Sequence, residues 1–326
     1  MFARSATPAA RSEDAAKADY AACSGCSLCL LACPVWRGTH DLRYTPHGRA
    51  KALQHGVPVA DLAPSIESCT LCGSCEPACP ENIGLVDMVL GLRRQLPALA
   101  PIPAPATGLA ASYAGRGVLL AGAPVSHQRA AEFLRCILAT DGGSDIALAL
   151  EAGADIPAAR LEAFLAPLRA AKSIIATDGL LARALTGWLP RLHVTSLGFA
   201  LSQRAEVRGS LRAGDLYVIE PRAFHLDHAR RVQHYDNLRH DTGCAMNLDL
   251  QRFAIPATAR NLRQRLGLEA PDDSAQARWI LLGRKVQRIV AESWDDIAAF
   301  RQVCDLPVVY IAELLEDTAM KTKTHA

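Results

Sequence analysis

Cys23-Ser-Gly-Cys26-Ser-Leu-Cys29-Leu-Leu-Ala-Cys33-Pro34 returns with the same spacing as Cys69-Thr-Leu-Cys72-Gly-Ser-Cys75-Glu-Pro-Ala-Cys79-Pro80. The two copies take up eight of the chain's 11 cysteines. A C-x2-C-x2-C loop can wrap three thiolates around one face of a cubane, and the C-x3-C-P ending brings a fourth. The spacing therefore predicts two [4Fe-4S] clusters. Other uses of cysteine fit less well. Structural zinc takes four ligands, usually from paired C-x2-C half-sites, and leaves the third cysteine of each run unexplained. A disulfide framework belongs to short secreted chains, and packing cysteines need no fixed spacing. Each proline lacks an N–H donor and fixes φ, which helps turn the chain away after the fourth cysteine.

In two-cluster ferredoxins the last cysteine of each run ligates the other cluster. On that pattern Cys23, Cys26, Cys29 and Cys79 hold cluster one, and Cys69, Cys72, Cys75 and Cys33 hold cluster two. The crossing sets the clusters side by side. These eight thiols are the expected metal ligands, and no catalytic residue is expected.

The chain has 326 residues, half of them hydrophobic, which is material for about two domains and a sizeable core. Thirty-five basic residues against 33 acidic ones leave a formal charge of +2. That balance gives no field for nucleic acid. No segment approaches 18 uninterrupted apolar residues, so no direct membrane span is expected and any membrane association is peripheral, through a partner. Residues 1–18 are rich in Ala, Arg and Ser, but Glu13 and Asp14 argue against a transit peptide and no apolar h-region marks a secretory signal. They read as a flexible tail. The expected location is the cytoplasm, where reducing conditions suit oxygen-sensitive clusters.

Residues 19–96 read as an all-helical two-cluster domain. Between the runs, Gly48–His55 holds strong helix formers with Gly56 as a stop, and Leu85–Leu96 places apolar residues at helical intervals. Prolines at 97, 101, 103 and 105 mark residues 97–112 as a linker. Residues 113–318 alternate buried-strand runs with helical stretches. The runs are Gly117–Ala123, Ser173–Thr177, Leu192–Ser196, Asp215–Ile219, Arg278–Leu282, Arg288–Ala291 and Pro307–Ile311; the helices include Ala158–Ala171 and Trp294–Val303. Residues 319–326 form a second tail. The expected fold class is α/β: an N-terminal α-helical ferredoxin domain followed by a largely parallel α/β domain, doubly wound or duplicated.

With both cysteine runs, both prolines and the helical insert, Tyr20–Leu96 resembles the cluster-bearing module of heterodisulfide-reductase-type and glycolate-oxidase-type iron–sulfur subunits. These are relatives of the α-helical ferredoxin domain of fumarate reductase. The resemblance implies a module that relays single electrons between a flavin-containing dehydrogenase subunit and a downstream acceptor, commonly quinone, a heterodisulfide or another carrier. It implies a subunit of a complex and not a lone enzyme. The family's second region usually carries cysteine-rich CCG repeats. Here only Cys136, Cys244 and Cys304 remain after the linker, none adjacent to another. Tyr217-Val-Ile-Glu-Pro-Arg222 is similar to the region around a family cysteine that follows a proline, with Arg222 where the thiol would be. The α/β domain is thus expected to be a degenerate CCG-like docking domain.

Two further stretches bear on chemistry. His225, His228, His234 and His240 precede Cys244 within a short segment, with Asp227 among them, and invite a metal site. They meet no recognised metal spacing, and Arg230, Arg231 and Arg239 favour a polar helix, His225–Arg239, facing solvent or a partner. Thr242–Asp249, with Gly243 beside Cys244, reads as a structural turn. Cys136 and Cys304 fall within helical patterns and read as packing residues. Gly115 and Gly117 precede their strand, whereas a dinucleotide fingerprint follows one. Arg37, Arg43, Arg49 and Lys51 are candidates to offset the negative charge of the clusters. The function expected is a non-catalytic electron-transfer subunit of a multi-subunit oxidoreductase. The alternative is a catalytic subunit with a further cofactor or disulfide-reducing site around Cys244.

Overall fold

The computed structural model describes residues 20–97, 99, 112–121, 125–270 and 274–315. The expected tails 1–18 and 319–326, and nearly all of the expected linker 97–112, lie outside the described residues.

Residues 20–97 form helices and turns without a strand. Helices α1 (Leu28–Ala32) and α2 (Pro34–Thr39) carry the first cysteine run, α3 (Pro46–Gln54) and α4 (Ala63–Ser68) fill the insert, and α5 (Leu85–Arg93) follows the second run. Prolines open α2 and α3 at the first turn, where a missing N–H costs nothing. Thr45 caps α3 by accepting from the Gly48 N–H, and Gly56 stops the chain beyond it at φ +78°.

The rest of the chain is one topology used twice. Strands β1 (Gly117–Leu120), β2 (Cys136–Leu138), β3 (Ser173–Ala176) and β4 (His193–Ser196) pair in the order β2-β1-β3-β4. Strands β5 (Asp215–Val218), β6 (Ala245–Met246), β7 (Arg288–Ala291) and β8 (Val308–Tyr310) pair as β6-β5-β7-β8. Every pairing is parallel. The expected α/β region with a parallel sheet is thus a duplication, with helices such as α6 (Val125–Phe133), α7 (Ser144–Ala152), α8 (Ala158–Leu168) and α9 (Gly179–Trp188) linking the first sheet's strands.

Alternate residues of β1 and β3 serve different cores. Leu119 and Ile175 join the core of the second sheet, whereas Val118, Leu120, Ile174 and Ala176 pack with Ile66, Leu71 and Met88 of the helical module. The helical module therefore has no core of its own. Its apolar face is completed by the first sheet and its helices.

Three expectations change. Arg278–Leu282 is not a strand but the end of helix α15, which spans Ser274–Leu281. Gln276, Ala277 and Ile280 are buried while Arg278 and Trp279 are exposed, a helical period that a five-residue apolar window hides. (Helices α10 to α14 are Leu197–Ser202, Ala205–Ser210, Pro221–Leu226, His228–Thr242 and Leu262–Arg265.) Cys136 opens the edge strand β2 instead of lying in a helix, and a Cβ at Gly117 would come 2.8 Å from its Sγ. The polar helix expected over His225–Arg239 breaks at Asp227 into α12 and α13. The edge strands β2 and β6 are three and two residues long, too short for a periodicity signal.

Candidate iron–sulfur site

The two cysteine loops follow one backbone path. Gly25 and Ser27 in the first run have φ of +83° and +65°, and Leu71 and Gly73, at the matching positions in the second, have +54° and +76°. Left-handed residues at these alternating positions are the kind of loop that gathers backbone N–H groups around an anion. Different residues meet the same demand. Leu71 takes a conformation that favours glycine, and its burial in the shared apolar core offsets that strain.

The side chains converge across the runs. One cavity is lined by Cys23, Cys26 and Cys29 of the first run together with Cys79 of the second. Cys33 instead faces the second run: burial raises its thiol to about 11, and Cys72 and Cys69 add to that rise. Burial likewise pushes Cys75 well up, with Cys72, Cys69 and Cys33 among the thiolates that repel it. Cys29 is raised to about 12 by burial and by Cys33, Cys23 and Cys26. Thiols crowded together out of water are poor as free thiolates and are suited to a polycationic iron core that deprotonates them. Four thiols around one cavity are a donor set that fits an iron–sulfur cluster. Among the described residues, no three His, Cys, Asp or Glu side chains are grouped to hold one metal ion.

The surroundings of the two runs differ. Around the first, Lys51 Nζ and Gln54 Nε2 each donate to the Cys23 carbonyl at 3.0 Å, and Gln54 also reaches the Tyr20 carbonyl at 2.8 Å. Both come from α3. Cys26 is exposed. Around the second, Arg93 Nη2 donates to the Cys69 carbonyl at 2.6 Å, Arg222 Nη2 to that of Thr70 at 2.9 Å, and His225 Nδ1 to that of Cys72 at 2.8 Å. Arg222 and His225 belong to α12, beyond the end of β5 in the second sheet. Gly73 is packed against the same histidine, whose Cβ lies 3.1 Å from where a Cβ on Gly73 would stand.

A buried ion network anchors these donors. Glu151, at the end of α7, accepts from both Arg222 terminal nitrogens at 2.7 and 2.8 Å, and its backbone carbonyl accepts from Arg93 at 2.6 Å. Against the upward push of burial, the Arg222 and Arg265 guanidiniums hold its carboxyl down at about 2. A second clamp joins the module to α9, where Arg183 binds Glu76 at 2.8 Å and Asp87 at 2.9 Å. His225 is neutral, because burial lowers its imidazole to about 3, and the Ala254 N–H donates to its Nε2 at 3.2 Å. This fixes the proton on Nδ1, the nitrogen facing the Cys72 carbonyl.

The charges expected near the clusters divide accordingly. Arg49 is buried, binds the Ser65 carbonyl at 2.6 Å and draws the Cys33 thiol down. Lys51 holds the first loop. Arg43 pairs with Asp41 on the surface, and Arg37 turns to Asp249 and Trp279. The sequence reading missed Arg93, Glu151 and His225 as parts of this site. An arginine on the apolar face of Leu85–Leu96 was the available signal for Arg93. In sequence Arg222 stands out only as the occupant of a missing cysteine's position; its guanidinium fills the place between α12 and the second cysteine loop.

The rings of His225 and His228 stack with centroids 6.0 Å apart, but the four histidines do not converge on one point. His225 lies at the second run, His228 Nε2 meets the Arg252 carbonyl, His234 Nε2 meets Ser202 Oγ, and His240 is exposed. The solvated face expected for this segment is corrected at His225 and Arg231, which are 5% and 4% exposed, Arg231 donating to Ser196 Oγ at 3.0 Å. Cys244 is buried just before β6, at the strand's start, while Arg222, His225 and the cysteine loop lie beyond the other end of the paired strand β5. Its Sγ accepts from Thr242 Oγ1 at 3.1 Å. Cys304 follows helix α16 (Trp294–Arg301), half-buried, with its Sγ on the Phe300 carbonyl.

No helix among the described residues is long and apolar enough to cross a membrane. No curated protein and no solved structure matches the chain. Residues 19–83 match the model of the 4Fe-4S dicluster domain, a span that takes in both cysteine runs. The chain is an iron–sulfur protein whose dicluster domain serves electron transfer.

Proposed function

We propose that this chain is the electron-transfer subunit of a multi-subunit oxidoreductase. It relays single electrons through two [4Fe-4S] clusters between a flavin-containing dehydrogenase subunit and a downstream acceptor, in the cytoplasm. Cys23, Cys26, Cys29 and Cys79 ligate one cluster, and Cys69, Cys72, Cys75 and Cys33 the other. The observation that carries this reading is the cavity that collects three thiols of the first run with the fourth of the second. When bound, each cluster supplies one-electron oxidation and reduction at a potential tuned by charge, hydrogen bonds and solvent.

The chain's own part is to hold two loops and set their fields. Arg49 and Arg93, both buried, bring positive charge to Cys33 and to Cys69, two of the thiols assigned to the second cluster, which favours its reduced form. Arg93, Arg222 and His225 pin three carbonyls of that loop, and Lys51 and Gln54 pin one of the other. Rigid loops lower the reorganisation that each electron transfer demands.

Anaerobic iron and sulfide analysis tests the reading, with about eight irons per chain expected for two cubanes. EPR-monitored redox titration is expected to show both clusters reducible by biological donors, and clusters that stay oxidised throughout that range would end the relay reading. The alternative, a catalytic site around Cys244, is disfavoured by the position of that thiol at the opposite end of the sheet. Iron well above eight per chain that is lost in Cys244→Ala would restore it.

A further inference from the structure

We propose that Leu28, Leu31, Leu250, Trp279 and Leu282 form the docking surface for an acidic flavoprotein that exchanges electrons with the cluster of the first run; the proposal rests on the relay reading above. All five side chains are exposed, from 44% for Trp279 to 105% for Leu250. They are far apart in sequence and drawn together by one residue. Arg37 donates to the Leu31 carbonyl at 3.1 Å and to Asp249 at 3.4 Å, and its guanidinium lies 4.6 Å from the centroid of the Trp279 ring. Leu250 follows Asp249, and the Leu282 N–H donates to the Trp279 carbonyl at 3.3 Å. Leu28 and Leu31 are three residues apart on α1. Exposed apolar side chains gathered in this way, with a tryptophan among them, mark an interaction surface.

Position and charge name the occupant. Leu28 and Leu31 stand between ligand cysteines of the first run, beside the exposed Cys26. A protein seated on them comes closer to that cluster than to the second, whose loop is covered by Arg222 and His225. Electron transfer falls steeply with distance, so this is the face where a redox partner gains most. The rim is basic. Arg278 and Lys285 are exposed beside Trp279 and Leu282 and pair with no acid among the described residues, while the patch's own acid, Asp249, is matched by Arg37. Unpaired positive charge around an apolar centre steers a partner with an acidic rim.

The test uses the full chain with its clusters and two reductants. Purified flavodoxin in its hydroquinone state is the probe, an acidic flavoprotein, and dithionite is the control that needs no docking. The flavodoxin rate is expected to fall about tenfold in Leu250→Ser/Leu282→Ser and in Arg278→Glu/Lys285→Glu, and to fall with rising salt in the unaltered protein. Dithionite reduction and iron content should stay unchanged. A flavodoxin rate indifferent to both double variants, or an equal loss with dithionite, overturns the docking surface. So does a holoprotein dimer in sedimentation that the variants split into monomers, since the patch would then join two copies. Failure of dithionite to reduce the unaltered clusters sinks the relay reading itself, a result distinct from these.

Discussion

The first cysteine run is held by its own helical insert, and the second by Arg93 of the helical module together with the α/β region. Spacing and backbone path are alike in the two, down to the paired left-handed residues Gly25 with Ser27 and Leu71 with Gly73. What differs is the second layer. Lys51 and Gln54 reach the first loop from α3, a helix of the same module, and leave Cys26 at the surface. Arg222 and His225 reach the second loop from the far sheet, and Glu151 ties Arg222 to Arg93 beneath it. A repeated motif has thus become a chemically unequal pair, with one loop open to solvent at Cys26 and the other built into the core.

The comparison breaks most sharply at the shared ligands. Cys33→Ala is expected to cost the cluster of Cys69, Cys72 and Cys75, and Cys79→Ala the other. Each change should lower iron from about eight to about four per chain. EPR on each single variant identifies which signal is lost, and a loss confined to the cluster of the mutated cysteine's own run would show that ligation is not crossed.

Removing the charge that anchors the second loop comes next. Glu151→Gln takes the buried carboxylate from Arg222 and from Arg265 beside it while keeping the backbone carbonyl that Arg93 binds, a change that costs about 3–5 kcal/mol. Urea unfolding of the anaerobic holoprotein should show that loss, with the second cluster released before the first. A matched loss at the first cluster would mean the two loops share one support. The same carboxylate sets an acid limit. Its value, held near 2 against an ordinary 4.5, means that its contribution is present above about pH 4.5 and is lost as pH falls toward 2. Glu151→Gln should therefore flatten the acid side of the stability profile between those values.

Gln54→Leu, on the first loop, removes neutral hydrogen bonds at a partly exposed site. The expected cost is about 1 kcal/mol, seen as faster loss of the first cluster to a chelator with the second unaffected. Arg43→Ala is the smallest change. Its guanidinium pairs with Asp41 on the surface, so neither the cluster signals nor the unfolding midpoint should move. A shift in the first cluster's potential would show that this surface charge acts on it after all.

The iron–sulfur domain, the helical module and six of the parallel strands are legible because each rests on local pattern: fixed cysteine intervals, a helical period, or a continuous apolar run. Arg278–Leu282 was misread because five residues of helix and of buried strand look alike without their neighbours. His225 reads as part of a polar face because its flanks are arginines and histidines, and nothing local reveals that Cys72 and Ala254 close over it. Arg222 stood out in sequence only as a residue in place of a thiol.

The amino-acid sequence by itself determined the cofactor class and the order of helical and α/β parts, since thiolate spacing and side-chain periodicity are short-range properties of the chain. Only the tertiary structure decided that the two loops are unequal. Glu151, Arg222 and His225 lie some 70 to 150 positions from the loop they support, and their role depends on two parallel sheets folding so that the end of one strand meets the cysteines of another part of the chain. Burial then turns ordinary surface residue types into fixed donors and charges, because out of water each must find a partner.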